Sequence, residues 1–160
     1  MTIQVGEKVP SLILQQKTDE GVFDISTDEI FRGKKVVLFA LPGAFTPTCS
    51  ATHLPGYVVK ADELKEKGID RIVCLSVNDA HVMKAWGDQQ NVKERIMMIA
   101  DGNCLFTQAV GLELDRRDGG MGIRSQRYAM IVNDGVVELL NVEAPMKFEV
   151  SDADTILNSL

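Results

Sequence analysis

The sequence is short of the features that most often announce a function. It has two histidines, His53 and His81, in 160 residues, and neither stands in an HExxH pattern, so a zinc site of that type is absent. It has three cysteines, Cys49, Cys74 and Cys104, and no CxxC pair. That removes a zinc ribbon and a dithiol redox motif, and the odd number argues against a structural disulfide framework. Basic residues are in deficit: 17 Lys and Arg against 23 Asp and Glu give a formal net charge of −6. Without a cationic surplus to neutralise phosphates, general nucleic-acid binding is disfavoured, while a small neutral substrate fits this balance. Apolar runs are short. The longest, Val36 to Leu41, is strand-sized and far below the length of a membrane span. The start of the chain, Met-Thr-Ile-Gln-Val-Gly-Glu, lacks the basic region and apolar stretch of a signal peptide. No membrane association is expected, and the expected location is cytoplasmic.

What is present is ordinary globular material. The hydrophobic fraction is 45% and the charged fraction 25%, and there are no repeats, low-complexity tracts or linkers, so residues 1–160 are expected to form one domain. Lys35 to Leu41 is β-rich and apolar on both faces, the mark of a central strand. A turn-rich stretch, Pro42 to Pro47, leads into a helix predicted to run to Lys67. Ile69 to Val77 reads as a second buried strand. Asn78 or Asp79 caps a helix from Ala80 to about Gln89. A third strand, Arg95 to Ile99, and a short helix, Leu105 to Val110, follow. Arg127 to Val132 and Val136 to Val142 form a predicted hairpin around Asp134-Gly135, a favoured type I′ pair. Ser151 to Asp154 resembles a capping box for a last helix ending near Leu160. Alternating strands and helices followed by a hairpin predict an α/β chain with a mixed central sheet flanked by helices, the thioredoxin-like order.

The run Pro42 to Pro55, PGAFTPTCSATHLP, carries the chemistry. Proline at position 47 suits the first helical residue, which makes Thr46 the N-cap and places Cys49 inside the first turn. First-turn N–H groups lack intrahelical partners and carry the positive end of the helix dipole, so a thiolate is favoured there over a thiol. The Thr46 hydroxyl is expected beside the Cys49 N–H, giving donors for a charge developing next to the sulfur. The alternative is a small, inert packing cysteine. Pro55, eight residues past Pro47, removes a ladder hydrogen bond and crowds the Ala51 carbonyl at a cost of about 3 kcal/mol in an unadjusted helix. A kink is expected, with the Cys49 turn loosely coupled to the rest.

Pro42-x3-Thr46-x2-Cys49 resembles the PxxxTxxC signature of peroxiredoxins, and PGAFTPTCSATHLPGY resembles their type II, peroxiredoxin 5-like subgroup. Ordered matches continue through Ile72-Val73-Cys74-Leu75-Ser76-Val77-Asn78-Asp79, Met83 to Gly87, Gly111 to Asp115, Gly122 to Tyr128 and Asn141-Val142-Glu143. The resemblance implies a thioredoxin fold and a thiol-dependent peroxidase that needs no cofactor or metal. Carried over by position, Cys49 is the nucleophile, Thr46 contacts peroxide and thiolate, Pro42 shields the pocket, and Arg127 completes the site. An arginine opening an apolar strand is otherwise just a solvated strand end. Arg124 and His53 are weaker candidates for the pocket; His53 lies one turn beyond Cys49 on the same helix face.

The implied cycle is attack of Cys49 on hydrogen peroxide or an alkyl hydroperoxide, giving a sulfenic acid that thiols reduce. Cys74, 25 residues after Cys49, has the spacing of an intramolecular resolving cysteine in some type II members. Yet it sits in a strand that reads as buried, where a bridge to Cys49 needs large rearrangement. A one-cysteine cycle recycled by glutathione with glutaredoxin, or by thioredoxin, is therefore preferred. The resemblance also implies a homodimer. A cysteine hydrolase using His53, a redox sensor without turnover, and a fold without chemistry are the competing readings.

Overall fold

A computed structural model describes residues Met1–Leu160. The apolar segments with strand length and β-branched content do form the centre of a sheet. β3 (Lys35–Leu41) pairs in parallel with β4 (Arg71–Ser76), which pairs in parallel with β5 (Met97–Ala100). On its other side β3 pairs antiparallel with β8 (Tyr128–Asn133), followed by β9 (Val136–Val142). Two earlier strands, β1 (Ile13–Thr18) and β2 (Gly21–Ser26), complete a seven-stranded mixed sheet in the order β2-β1-β5-β4-β3-β8-β9. A second, two-stranded sheet pairs β6 (Glu113–Arg116) with β7 (Gly122–Ser125).

Residues alternate across the main sheet, as the two-residue period of a strand requires. Val37, Phe39, Leu41, Ile72, Cys74, Ala129 and Ile131 face one apolar layer. It is built by α2 (Leu54–Glu66), α3 (Ala80–Gln89) and α5 (Ala153–Asn158). Val36, Leu38, Ala40, Val73, Leu75, Tyr128 and Met130 face the other, covered by α1 (Thr27–Phe31) and α4 (Leu105–Ala109). Helices on both faces explain why the central strands read as continuous apolar runs.

Several expected boundaries move. The hairpin turn has positive φ at both Asp134 (49°) and Gly135 (82°), the geometry expected for Asp-Gly. Its first strand opens at Tyr128, so Arg127 stands just before the ladder. Asp79 caps α3 by accepting from the Val82 N–H at 2.9 Å. The cap of α5 is Asp152, which accepts from the Thr155 N–H at 3.2 Å; Ser151 is committed elsewhere. The β1–β2 hairpin and the β6–β7 pair had no sequence signal strong enough to read, because their side chains are largely half-buried or exposed and mix polar with apolar types. No helix is long and apolar enough to cross a membrane.

Candidate active site

The segment after β3 turns where Pro42 and Gly43 predict it, and the chain becomes helical at Pro47. The Thr46 carbonyl accepts the first helical bond, from the Ser50 N–H at 3.0 Å. The expected side-chain cap does not form: the Thr46 hydroxyl donates back to the Gly43 carbonyl at 2.7 Å. The Cys49 N–H has no acceptor in the chain. The helix predicted from Pro47 to Lys67 also differs in its first turns. Residues Cys49–His53 form a π-helical turn, closed by a bond from the Leu54 N–H to the Cys49 carbonyl, and the regular α2 starts only at Leu54. Pro55 supplies the reason. It has no N–H for the Ala51 carbonyl and its ring crowds that oxygen, and widening the turn by one residue relieves the clash. The disturbance expected at Pro55 takes the form of a bulged turn at the sulfur.

Arg127 reaches this turn from the start of β8. Its Nη2 donates to Cys49 Sγ at 3.2 Å and its Nη1 donates to His53 Nδ1 at 2.7 Å. A guanidinium has no lone pair to offer, so His53 Nδ1 must be the acceptor. The histidine therefore carries its proton on Nε2, which donates to the Ser151 carbonyl at 3.2 Å. His53 is fully buried among Phe39, Tyr57 and Phe148, with ring centroids 5.0, 5.8 and 4.9 Å away. Burial, with the Arg127 charge adding to it, pushes its pKa down to about 3, so the ring is neutral in this arrangement. The Phe148 ring lies 5.7 Å from the Arg127 guanidinium carbon, within cation–π range.

The structure thus brings Cys49, Arg127 and His53 into direct contact. Pro42 and Thr46 belong to the loop that leads from β3 into the Cys49 turn. Arg124 stands one step back: it donates to the Met121 carbonyl at 2.8 Å and to the Pro42 carbonyl at 3.4 Å, bracing the loop rather than touching the sulfur. Ser50, next to the sulfur residue, accepts from the Trp86 indole N–H at 2.9 Å and ties the turn to α3. Cys74 lies in mid-sheet between Phe39 and Met98, fully buried, and burial pushes its thiol well up, with charge on Cys49 adding to the effect. Cys104 sits away from the turn at a positive-φ position before α4, and its thiol is raised by burial and by Asp101 and Glu113. No group of three His, Cys, Asp or Glu side chains converges as a metal cage. A surface hollow of about 1010 Å³ runs beside β1 and α3 and includes none of the residues around Cys49.

Sequence reasoning missed Tyr57, Phe148 and Ser151. Tyr57 sits at an ordinary apolar helix position; its hydroxyl donates to the Ser151 carbonyl at 2.7 Å and its ring stacks on Phe39 at 4.0 Å. Ser151 contributes a backbone atom, which no side-chain motif reveals.

A mixed sheet with a buried cysteine in a helical first turn, held by an arginine fork, defines a thiol-based oxidoreductase on a thioredoxin-like scaffold. The family model described as Redoxin matches residues 4–157. The chain is 47% identical over 160 residues to peroxiredoxin-2C of Arabidopsis thaliana, covering 99% of this chain and 98% of that protein. Among solved structures, reduced Prx3 of Vibrio vulnificus in complex with H2O2 superposes with a TM-score of 0.95 at 59% identity, with 99% of each chain covered. Peroxiredoxin 5 of Alvinella pompejana gives 0.86 at 34% identity, covering 98% of this chain and 97% of that one. The chain belongs to the Redoxin family, within its type II peroxiredoxins, and is a thiol-dependent peroxidase.

Proposed function

We propose that Cys49 is the peroxidatic nucleophile and that Arg127, Thr46, Pro42 and the free Cys49 amide form its substrate site. The observation that carries this reading is the Arg127 fork, which holds Cys49 Sγ at 3.2 Å with one arm while His53 fixes the other. A guanidinium at this distance is a fixed charge and a hydrogen-bond donor beside the reacting sulfur. The thiolate attacks one oxygen of hydrogen peroxide or an alkyl hydroperoxide. An S–O bond forms, the O–O bond breaks, and the departing oxygen leaves as water or alcohol after taking up a proton. Sulfur is oxidised by two electrons to a sulfenic acid, and the peroxide is reduced by the same two. Arg127 and the Cys49 N–H stabilise the leaving oxyanion. His53 aims Arg127, and Arg124 braces the Pro42 loop.

Two reducing thiols then return Cys49 to its starting state, forming a disulfide among themselves and releasing the oxygen as water. Glutathione with glutaredoxin, or thioredoxin, supplies them. Cys74 is fully buried with a raised thiol and is paired on both sides in the sheet, which supports a one-cysteine cycle over an internal disulfide. Residues 1–160 act as one unit, as a homodimer, in the cytoplasm.

The test is peroxide consumption by the wild type and the Cys49→Ser, Cys74→Ser and Cys104→Ser variants, with each reductant system separately. Loss of turnover in Cys49→Ser alone upholds the reading, and the better reductant names the partner. Activity in Cys49→Ser overturns it, and loss in Cys74→Ser with thioredoxin replaces the one-cysteine cycle by an internal disulfide.

A further inference from the structure

Glu143 follows β9 directly and takes no part in the chemistry just described. Its side chain is nonetheless almost wholly buried, 8% exposed, and it is crowded with donors. Its carboxylate accepts from the Glu149 N–H at 2.9 Å on both oxygens, and from the Val150 N–H at 2.9 Å, the Ser151 N–H at 2.8 Å and the Ser151 hydroxyl at 2.7 Å. Its own N–H donates to the Arg127 carbonyl at 2.9 Å. Residues 143–152 form no regular element, so no ladder holds this segment; a buried carboxylate gathering its amides does so instead.

We propose that Glu143 is a positioning residue for the peroxidase reaction: by clamping Glu149 to Ser151 it fixes the tautomer of His53 and, through it, the aim of Arg127 at Cys49. This rests on the reading that Cys49 and Arg127 carry the reaction. The clamp sets the Ser151 carbonyl, which takes the Tyr57 hydroxyl at 2.7 Å and His53 Nε2–H at 3.2 Å. Those two donors occupy both of its lone pairs. The histidine proton is thereby held on Nε2, which keeps Nδ1 an acceptor toward Arg127. If the carbonyl drifts, the ring is free to carry its proton on Nδ1. Donor then faces donor, and Arg127 loses the contact that orients its second arm toward the sulfur. The same segment places Phe148 against both the guanidinium and the imidazole. A group of this kind acts on geometry: displacement of about 1 Å at a reacting centre costs up to ~100-fold in rate.

Glu143→Gln keeps the shape of the side chain but turns an NH2 group toward backbone N–H groups. Single-turnover oxidation of Cys49 by hydrogen peroxide and its alkylation by iodoacetamide are measured at the same pH in the wild type, Glu143→Gln, His53→Phe and the double variant. Alkylation reports the thiolate and needs no peroxide-oriented arginine. The expected result for Glu143→Gln is peroxide oxidation slower by about 10- to 100-fold with a much smaller change in alkylation. No further loss is expected when the change is added to His53→Phe, because both act on one contact. Equal slowing of both reactions, or full additivity with His53→Phe, assigns Glu143 a merely structural role and overturns the proposal. If Glu143→Gln does not fold, Ser151→Ala removes one donor to the same carboxylate. A selective loss of peroxide reactivity there supports the clamp, and unchanged selectivity refutes it. Cys49→Ser in the same series separates the two claims, since peroxidase activity surviving that change defeats the Cys49 reading whatever Glu143 does.

Discussion

Mild acid should destabilise this protein through His53. His53 is fully buried and its pKa is depressed to about 3 from an ordinary 6.5. The unfolded chain therefore binds a proton that the folded chain refuses across that interval. Stability follows proton uptake by the unfolded state, so it is complete above about pH 6.5 and falls as the pH drops. Each pH unit within the interval is worth about 1.4 kcal/mol, so lowering the pH from about 6.5 to about 5 removes about 2 kcal/mol. With a urea dependence on the order of 2 kcal/mol per molar, the unfolding midpoint falls by about 1 M. The window above pH 5 isolates the histidine from Glu143. Burial alone would raise that carboxyl, but the Ser151 hydroxyl and the amides of Glu149, Val150 and Ser151 together hold it below the usual carboxylate value, so its contribution is lost only at lower pH. His53→Gln is the control: its amide offers Arg127 an acceptor and Ser151 a donor, and it never titrates. Urea unfolding at several pH values should show a steep loss in the wild type and a slope shallower by about 1.4 kcal/mol per pH unit in the variant. Parallel slopes would show that His53 is not buried neutral, and the tautomer assignment that depends on it would fall too.

Other consequences are open to direct measurement. Arg127→Met should slow peroxide oxidation by about 100-fold or more, the scale of losing an oxyanion donor, while alkylation of Cys49 slows less; equal losses would mean the arginine serves only the thiolate. Gly43→Ala would place a Cβ 2.9 Å from Arg124 Nη1 and 3.2 Å from Thr46 Cγ2, so kcat/KM for peroxide should fall by roughly tenfold with the melting temperature little changed. An unaltered kcat/KM would show that the loop tolerates the displacement. Cys74→Ser buries a hydroxyl in an apolar layer and should lower stability by about 1–3 kcal/mol in urea unfolding; no loss would mean that the hydroxyl finds a partner there. Gly111→Ala combines a φ of +74° with a Cβ driven into the Met1 carbonyl. It should cost more than about 1 kcal/mol and release the N-terminal segment to proteolysis, and wild-type stability would contradict the close approach.

The linear order of residues determined the parts whose physics is local. Val36 to Leu41 is apolar at every position, which suits a strand covered on both faces, and β3 lies at that place. Asp134-Gly135 tolerates positive φ, and the turn forms there. Pro42, Thr46, Pro47 and Cys49 stand at fixed spacing, so the strand-to-helix passage that carries the sulfur was legible, as was the fold class. Pro55 announced a disturbance, but whether a helix breaks, kinks or widens depends on what packs around it, and the π-helical turn appears only with the tertiary contacts of Ser50 to Trp86 and of Leu54 in the core. The Thr46 hydroxyl donates to the Gly43 carbonyl, a bond that the cap pattern in the sequence did not indicate. Only the tertiary structure could decide the long-range contacts of that turn; Arg127 and His53 were named beforehand by resemblance, but not what they touch. Arg127 is 78 residues from Cys49, and Ser151 is 98 from His53. Side-chain periodicity cannot signal a backbone carbonyl, and a lone glutamate after a strand looks like any solvated residue until the chain folds its own amides around it.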